Sequence, residues 1–169
     1  MSVEKRWYAV YTRSKGEKKL ALELQYAGIE HYLPLVKRLR QWSDRKKLVE
    51  EPLFRSYIFV FINETDCWKV MNTPGAVRFI KFEGKPIEIP QKQITAIRLY
   101  IEDPEPDESN LSDLQEGQLV RVKSGPMEGL IGRLVQVRSQ FRLVVLIEAV
   151  GKTITLNIPR SRVEAINEN

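Results

Sequence analysis

Six consecutive apolar residues, Tyr57-Ile58-Phe59-Val60-Phe61-Ile62, impose the tightest constraint on this chain. They end the run "PLFRSYIFVFI", and their aromatic and β-branched content reads as a strand. Successive side chains of a strand point to opposite faces. Leu53, Arg55, Tyr57, Phe59 and Phe61 therefore share one face, and Phe54, Ser56, Ile58, Val60 and Ile62 share the other. From Tyr57 onward both faces are apolar, whereas a half-exposed sheet is polar on one side. The strand needs two covers. One is its own domain. The second is a partner protein, another domain of the chain, or a second core within the sheet.

The neighbouring sequence supplies the first cover. "RWYAVYT", 6–12, reads as a strand. "GEKKLALELQYAG", 16–28, reads as a helix with Leu20, Leu24 and Ala27 on one face, Ala21 beside them, and Gly28 as its stop. "IEHYLPLVKRLRQW" is extended, and "SDRKKLVEEPLFRSYIFVFI" returns through a basic hairpin. Residues 66–72 fit a short helix ended by Pro74 and Gly75. "AVRFIKFEGKPIEI" fits a strand pair about the turn Glu83–Pro86. In "PQKQITAIRLYIED", Pro90 suits the first turn of a helix, Ile94, Ile97 and Ile101 form its stripe, and Pro104 ends it. The pattern is an α+β domain, with helices able to lie on one face of an antiparallel sheet. Helices over Ile58, Val60 and Ile62 leave Tyr57 and Phe59 facing the other way. Phe79, Phe82 and Ile94 are candidates to join them in an exposed apolar patch, a feature that marks partner sites.

Residues 104–113 form an acidic connector with two prolines. It separates an N-terminal domain, 1–103, from a C-terminal one, 114–169. The second domain has no helical period. "QLVRVK", "GRLVQVRS", "FRLVVLIEAV", "KTITLNI" and "SRVEAI" are five short β-rich runs punctuated by glycine, which suits a small barrel or sandwich. The formal charge of +5 is unevenly spread: +6 in 1–103, −4 in 104–113 and +3 in 114–169. Two basic bodies joined by an acidic connector point to a polyanion nearby.

Several classes are disfavoured. No apolar run approaches the ~20 residues of a membrane span. The start, "MSVEKRWYAVY", lacks the apolar region of a signal peptide. One cysteine, Cys67, excludes an internal disulfide framework and fits a reduced, cytoplasmic protein. With one histidine, His31, no zinc-spaced ligand pair exists, and no phosphate-binding glycine pattern is present. His31 reads as a strand residue with a local hydrogen bond. We expect no metal, no cofactor and no enzymatic activity.

Two basic clusters interest us. The hairpin "KRLRQWSDRKKL", 37–48, places Arg38, Arg40 and Arg45 among six bases around Trp42, which suits a phosphate backbone and a stacking platform. Taken by itself, a solvated hairpin tip is the more ordinary explanation. Arg13, Lys15, Lys18 and Lys19 gather where the first strand enters the first helix, a position that attracts anions. A solvated helix face is the ordinary alternative. In "GQLVRVKSGPMEGLIGRLVQV", 117–137, Gly125 and Pro126 make a turn and Gly129 and Gly132 allow a tight return.

These residues together resemble the NusG family of transcription elongation factors. "RWYAVYT" with its basic turn and helix, "PLFRSYIFV", "GAVRFI" followed by "PIEIP", and the KOW-like "GQLVRVKSGPMEGLIGRLVQV" follow the family's order over nearly the whole chain. The resemblance implies an NGN-like N-terminal domain and an SH3-like KOW barrel. It implies docking on the clamp helices of the largest RNA polymerase subunit through Tyr57, Phe59, Phe82 and Ile94, with Phe79 and Trp7 as neighbours. The domain would bridge the cleft and suppress pausing or termination. Its basic surface, with Arg13 and the Lys15–Lys19 cluster and more weakly the hairpin, would face upstream or non-template DNA. The KOW domain, through Val150 and Met127, would recruit a ribosomal protein or a termination factor. The factor would act as a monomer away from membranes. Two departures stand out. The family usually has proline at Arg55, often followed by glycine or asparagine, and its housekeeping member presents an aromatic residue in the loop that here offers Val150. The second departure weakens termination-factor binding and, with the basic hairpin, favours a specialised antiterminator of the RfaH-like or UpxY-like kind. The alternative is an RNA-binding KOW protein of ribosomal or post-transcriptional type.

Overall fold

The structure, a computed structural model, describes residues 4–102, 117–137 and 139–167. The chain divides into two compact units, 1–89 and 90–169. The division falls ahead of the last helix of the α+β segment, which is grouped with the second unit. The acidic connector at 104–113 lies outside the described residues.

The first unit is built on β1 (Arg6–Thr12) and β5 (Tyr57–Ile62). They pair antiparallel in unbroken register from Arg6 opposite Ile62 to Tyr11 opposite Tyr57. β2 (His31–Tyr32) borders β5. β6 (Ala76–Phe79) and β9 (Glu88–Ile89) both pair with β1. α1 (Glu17–Tyr26) and the short α2 (Cys67–Met71) complete it. Two ribbons stand apart from this sheet: β3 (Leu35–Gln41) with β4 (Lys46–Pro52), and β7 (Lys81–Phe82) with β8 (Lys85–Pro86). Glu83 and Gly84 turn the second ribbon at φ 51° and 78°, the positive angles of a two-residue hairpin loop.

The register settles the two faces. Tyr8, Val10, Ile58, Val60, Ile62 and Phe79 pack with Leu20 and Leu24 of α1 and Val70 of α2. This is the first cover, as the alternation requires. Ala27, expected on the same helix face, is exposed at the helix end. Trp7, Ala9, Tyr11, Tyr57, Phe59 and Phe61 lie on the opposite face of the β1–β5 pair.

The second unit begins with α3 (Gln91–Glu102), in which Ile94, Ala96 and Ile97 are buried. Five antiparallel strands follow: β10 (Gln118–Val122), β11 (Ile131–Val137), β12 (Gln140–Ile147), β13 (Lys152–Asn157) and β14 (Val163–Ala165), in the order β13-β12-β11-β10-β14. They coincide with the five β-rich runs. Leu143, Val145 and Ile147 alternate inward along β12. β11 passes so close to β12 that a Cβ on Gly132 would stand 2.5 Å from the Val144 carbonyl oxygen, so glycine is obligatory there.

The core fixes one expectation. Leu24 has no exposed surface. Leu24→Ala is expected to destabilise the chain by about 2–5 kcal/mol through lost burial and a residual cavity. Ala27→Ser should change stability by less than about 0.5 kcal/mol. Urea unfolding of both variants measures the contrast.

Candidate functional site

The face of β1 and β5 turned away from α1 and α2 is aromatic. The ladders bring Tyr32 opposite Phe59, Tyr11 opposite Tyr57 and Trp7 opposite Phe61. The Trp7 ring lies 5.0 Å from Phe61 and 6.5 Å from Tyr32. Phe54 meets Phe59 edge-on at 6.0 Å, and Tyr11 meets Tyr57 edge-on at 5.6 Å. Such pairs add about 0.5–1.5 kcal/mol beyond burial. The Arg78 guanidinium sits 5.0 Å over the Tyr11 ring. Phe59 and Trp7 are buried, while Tyr11, Tyr32, Tyr57 and Phe61 are half-buried.

The expected apolar patch is therefore corrected in several places. Phe59 and Trp7 are its floor rather than its exposed surface. Phe79 leaves the patch altogether: β6 sets it opposite Val10, so it enters the core beneath α1 and α2. Phe82 is exposed, in the ribbon β7–β8 outside the main sheet. Ile94 is buried within α3, in the second unit. Tyr32, Phe54 and Tyr11 belong to the aromatic face and were not anticipated. Cross-strand register reveals Tyr11 and Tyr32, whereas Phe54, expected on the face of Ile58, lies in the turn before β5 and meets Phe59 from there. Phe61 shares the alternation of Tyr57 and Phe59, which was signal enough to include it.

The turn entering β5 explains the departure at Arg55-Ser56. The Tyr57 N–H donates to the Phe54 carbonyl at 3.3 Å, leaving Arg55 and Ser56 as the central residues. Ser56 has φ 67°. Positive φ at the second central position is what a type II turn needs, with proline favoured at the first and glycine or asparagine at the second. The bend is kept with less suitable residues. Its support comes from Glu17 at the start of α1. This buried side chain accepts the Ser56 N–H at Oε1, 2.7 Å away, and the Ser56 carbonyl accepts the Thr12 N–H at 2.8 Å.

Glu17 also alters the helix start. A carboxylate in the first turn offsets the positive end of the helix. Attraction for anions there falls to the exposed Arg13, Lys15, Lys18 and Lys19. Lys18 reaches away, donating to the Glu50 carbonyl at 2.8 Å.

In the ribbon β3–β4 the bases divide by face. Arg38 and Arg40 share a face with Glu51, whose Oε1 lies 3.2 Å from Arg38 Nε and 2.6 Å from Arg40 Nη2. Two of the expected nucleic-acid contacts are thus held by an acid of the same ribbon. The hydrogen bond from Arg40, helped by the charges of Arg38 and Arg55, lowers the Glu51 pKa below the usual glutamate range despite partial burial. Arg45 remains exposed at the tip, where the Trp42 N–H donates to its carbonyl at 2.8 Å. On the other face Leu39 stands directly opposite Leu48, and both are exposed together with Trp42.

In the second unit, Met127 is half-buried in the turn after β10. Val150, expected to be offered to partners, is buried instead. The Val150 and Gly151 N–H groups both donate to the Ile147 carbonyl, at 3.1 and 3.0 Å, and this tight turn folds Val150 inward. Ile131 and Leu146 are the exposed large aliphatic residues of the strands here.

Chemical groups are sparse. His31 forms its local hydrogen bond, Nδ1 lying 2.9 Å from the Ile29 carbonyl. Burial, with Glu64 adding, pushes the Cys67 thiol up, which disfavours the reactive thiolate. Among the described residues no three His, Cys, Asp or Glu side chains are placed to hold a metal ion, and no helix is long and apolar enough to cross a membrane.

Comparison with known proteins agrees with the resemblance. A family model described as NusG, transcription termination factor nusG, matches residues 5–98. The chain is 26% identical over 179 residues to the transcription termination/antitermination protein NusG of Staphylococcus aureus strain Mu50, with 96% of each covered. The same figures hold for the protein of strain N315. A solved structure described as "Domain interaction in Thermotoga maritima NusG" matches with a TM-score of 0.50 at 24% identity, covering 97% of this chain and 98% of that one. That likeness concerns the fold.

Two outcomes follow from the turn and the ribbon. Ser56→Gly should stabilise the chain by about 0.5–1 kcal/mol, and Ser56→Val should destabilise it by about 1–3 kcal/mol, since a β-branched residue resists positive φ. Chemical denaturation of the pair reads the sign. For Glu51, the lowered pKa means that its stabilisation is complete above the ordinary glutamate range and is lost as pH falls through the depressed folded value. Being partly exposed, the pair is worth no more than about 1 kcal/mol. A carboxyl-carbon NMR titration should give Glu51 a midpoint below the usual glutamate range, and Arg40→Ala should move it up.

Proposed function

The chain belongs to the NusG family of transcription termination and antitermination factors, and from that premise we propose that it is an elongation and antitermination factor that docks on the RNA polymerase clamp helices. The observation that carries this reading is the aromatic face of β1 and β5. Tyr57 and Phe61 rim it and Phe59 and Trp7 floor it, and Tyr57, Phe59 and Trp7 are strand positions at which the resemblance puts the clamp contact. Exposed Phe82 is a further contact on this reading.

The factor works by binding rather than by turnover. A protein that binds one polymerase conformation more tightly shifts the population toward it, and only the difference in affinity counts. A tenfold preference corresponds to about 1.4 kcal/mol. Holding the clamp closed in this way would suppress pausing. Arg13, Lys15 and Lys19 would meet upstream or non-template DNA by charge, giving a salt-dependent contribution. The second unit would recruit a ribosomal or termination protein through the side carrying Met127. Its buried Val150, where the housekeeping member of the family presents an aromatic residue, supports a specialised member.

Retention on immobilised core RNA polymerase tests the docking. The double variant Tyr57→Ala, Phe82→Ala should be retained at least about tenfold less than the wild type, and should lose pause suppression in a single-round elongation assay. Undiminished retention would remove the docking claim.

A further inference from the structure

We propose that Arg78 is the specificity-determining charge of the aromatic face, and that it takes an acidic side chain of the docked polymerase segment. This rests on the docking reading above and names the chemistry that the partner must offer. The register lays Tyr57, Tyr11 and Arg78 in one row across β5, β1 and β6. Among the described residues, Arg78 is the one charged side chain that the ladders place on this face. Its guanidinium lies 5.0 Å over the Tyr11 ring, and Tyr11 is itself held edge-on by Tyr57 at 5.6 Å. Other arginines of this unit are engaged by acids of the chain: Arg6 by Glu88, and Arg38 and Arg40 by Glu51. Arg78 is exposed and rests on a ring instead.

Stacking occupies the flat face of a guanidinium and leaves its in-plane N–H groups to an acceptor. A carboxylate matches that fork with two parallel hydrogen bonds. An apolar segment seated on Tyr57 and Tyr11 excludes water around Arg78. A cation covered in this way without a partner group is strongly disfavoured. The face therefore rejects a segment that offers an apolar or basic residue at this point, and selects one with an acid there. The bond between them strengthens as water leaves. Arg55 adds to the charge complementarity, because it is exposed in the turn that leads into Tyr57, at the same end of the face. Part of its charge acts on Glu51, so the fork of Arg78 is the primary contact.

Binding of the full chain to immobilised core RNA polymerase should be measured at several salt concentrations. Arg78→Gln is expected to bind about five- to tenfold more weakly than the wild type, and to lose less affinity as salt rises. Arg78→Lys keeps the charge but not the planar fork. It should restore the salt dependence and only part of the affinity, and it serves as the second variant should Arg78→Gln fold poorly by circular dichroism. Replacing the acids of the polymerase clamp helices by lysine, one at a time, should yield one polymerase that binds Arg78→Glu better than it binds the wild type. Arg78→Gln that binds like the wild type would overturn the assignment. So would weaker binding with unchanged salt dependence and no such charge reversal, which would leave Arg78 a packing role. Intact polymerase binding with lost affinity for a DNA duplex would also overturn it, making Arg78 a phosphate contact. Undiminished retention of Tyr57→Ala, Phe82→Ala removes the docking reading and this inference with it. Lost retention of that double variant beside undiminished Arg78→Gln removes this inference alone.

Discussion

The antiparallel ladder between β1 and β5 is the interaction on which the first unit depends. Its unbroken register from Arg6–Ile62 to Tyr11–Tyr57 decides the face of every side chain on both strands. A slip of one residue would send Ile58, Val60 and Ile62 away from α1 and turn Phe59 toward it. The ladder also carries the bordering strands, since β2 takes its register from β5 and both β6 and β9 take theirs from β1. An aliphatic face with helices over it and an aromatic face behind it are two products of one pairing.

The entry to β5 shows how a departure from a family pattern is tolerated. Arg55-Ser56 lacks the preset φ of proline and the conformational freedom of glycine, yet the turn forms. A residue held at positive φ costs on the order of 1 kcal/mol. The hydrogen bond from the Ser56 N–H to the Glu17 carboxylate contributes a similar amount. The bond also ties the first turn of α1 to the strand beneath it. A local weakness in the turn is thus compensated by a partner 39 positions away in sequence.

Most of the architecture was legible because it rests on period and punctuation. The double apolar face of Tyr57–Ile62 marked the central strand, Leu20 and Leu24 marked the helix face, and glycine spacing marked five strands after the connector. What escaped was whatever needs a register or a distant partner. Phe79 was placed with the wrong face because the parity of β6 follows from its pairing with Val10, and β1 breaks step with β6 between Tyr11 and Thr12. Glu17 drew no reading from the sequence, since nothing nearby announces Ser56. Arg38 and Arg40 looked available because Glu51 lies across a hairpin whose register the sequence leaves open. Val150 looked exposed because loop position does not reveal that a turn folds a side chain inward.

The ribbon β3–β4 has a further consequence for the chain's own company. Among the described residues its two strands pair only with each other, so each leaves an edge of backbone donors and acceptors, engaged on β4 by Lys18 at the Glu50 carbonyl. Exposed Leu39, Leu48 and Trp42 make that edge sticky as well as open. Such an edge is a template on which a second copy can add a strand, the first step of aggregation. Lys37, Arg45, Lys46 and Lys47 stand in the way, because two ribbons brought edge to edge confront like charges. The cations therefore repel their own kind, which lets the protein keep so apolar a projection in water.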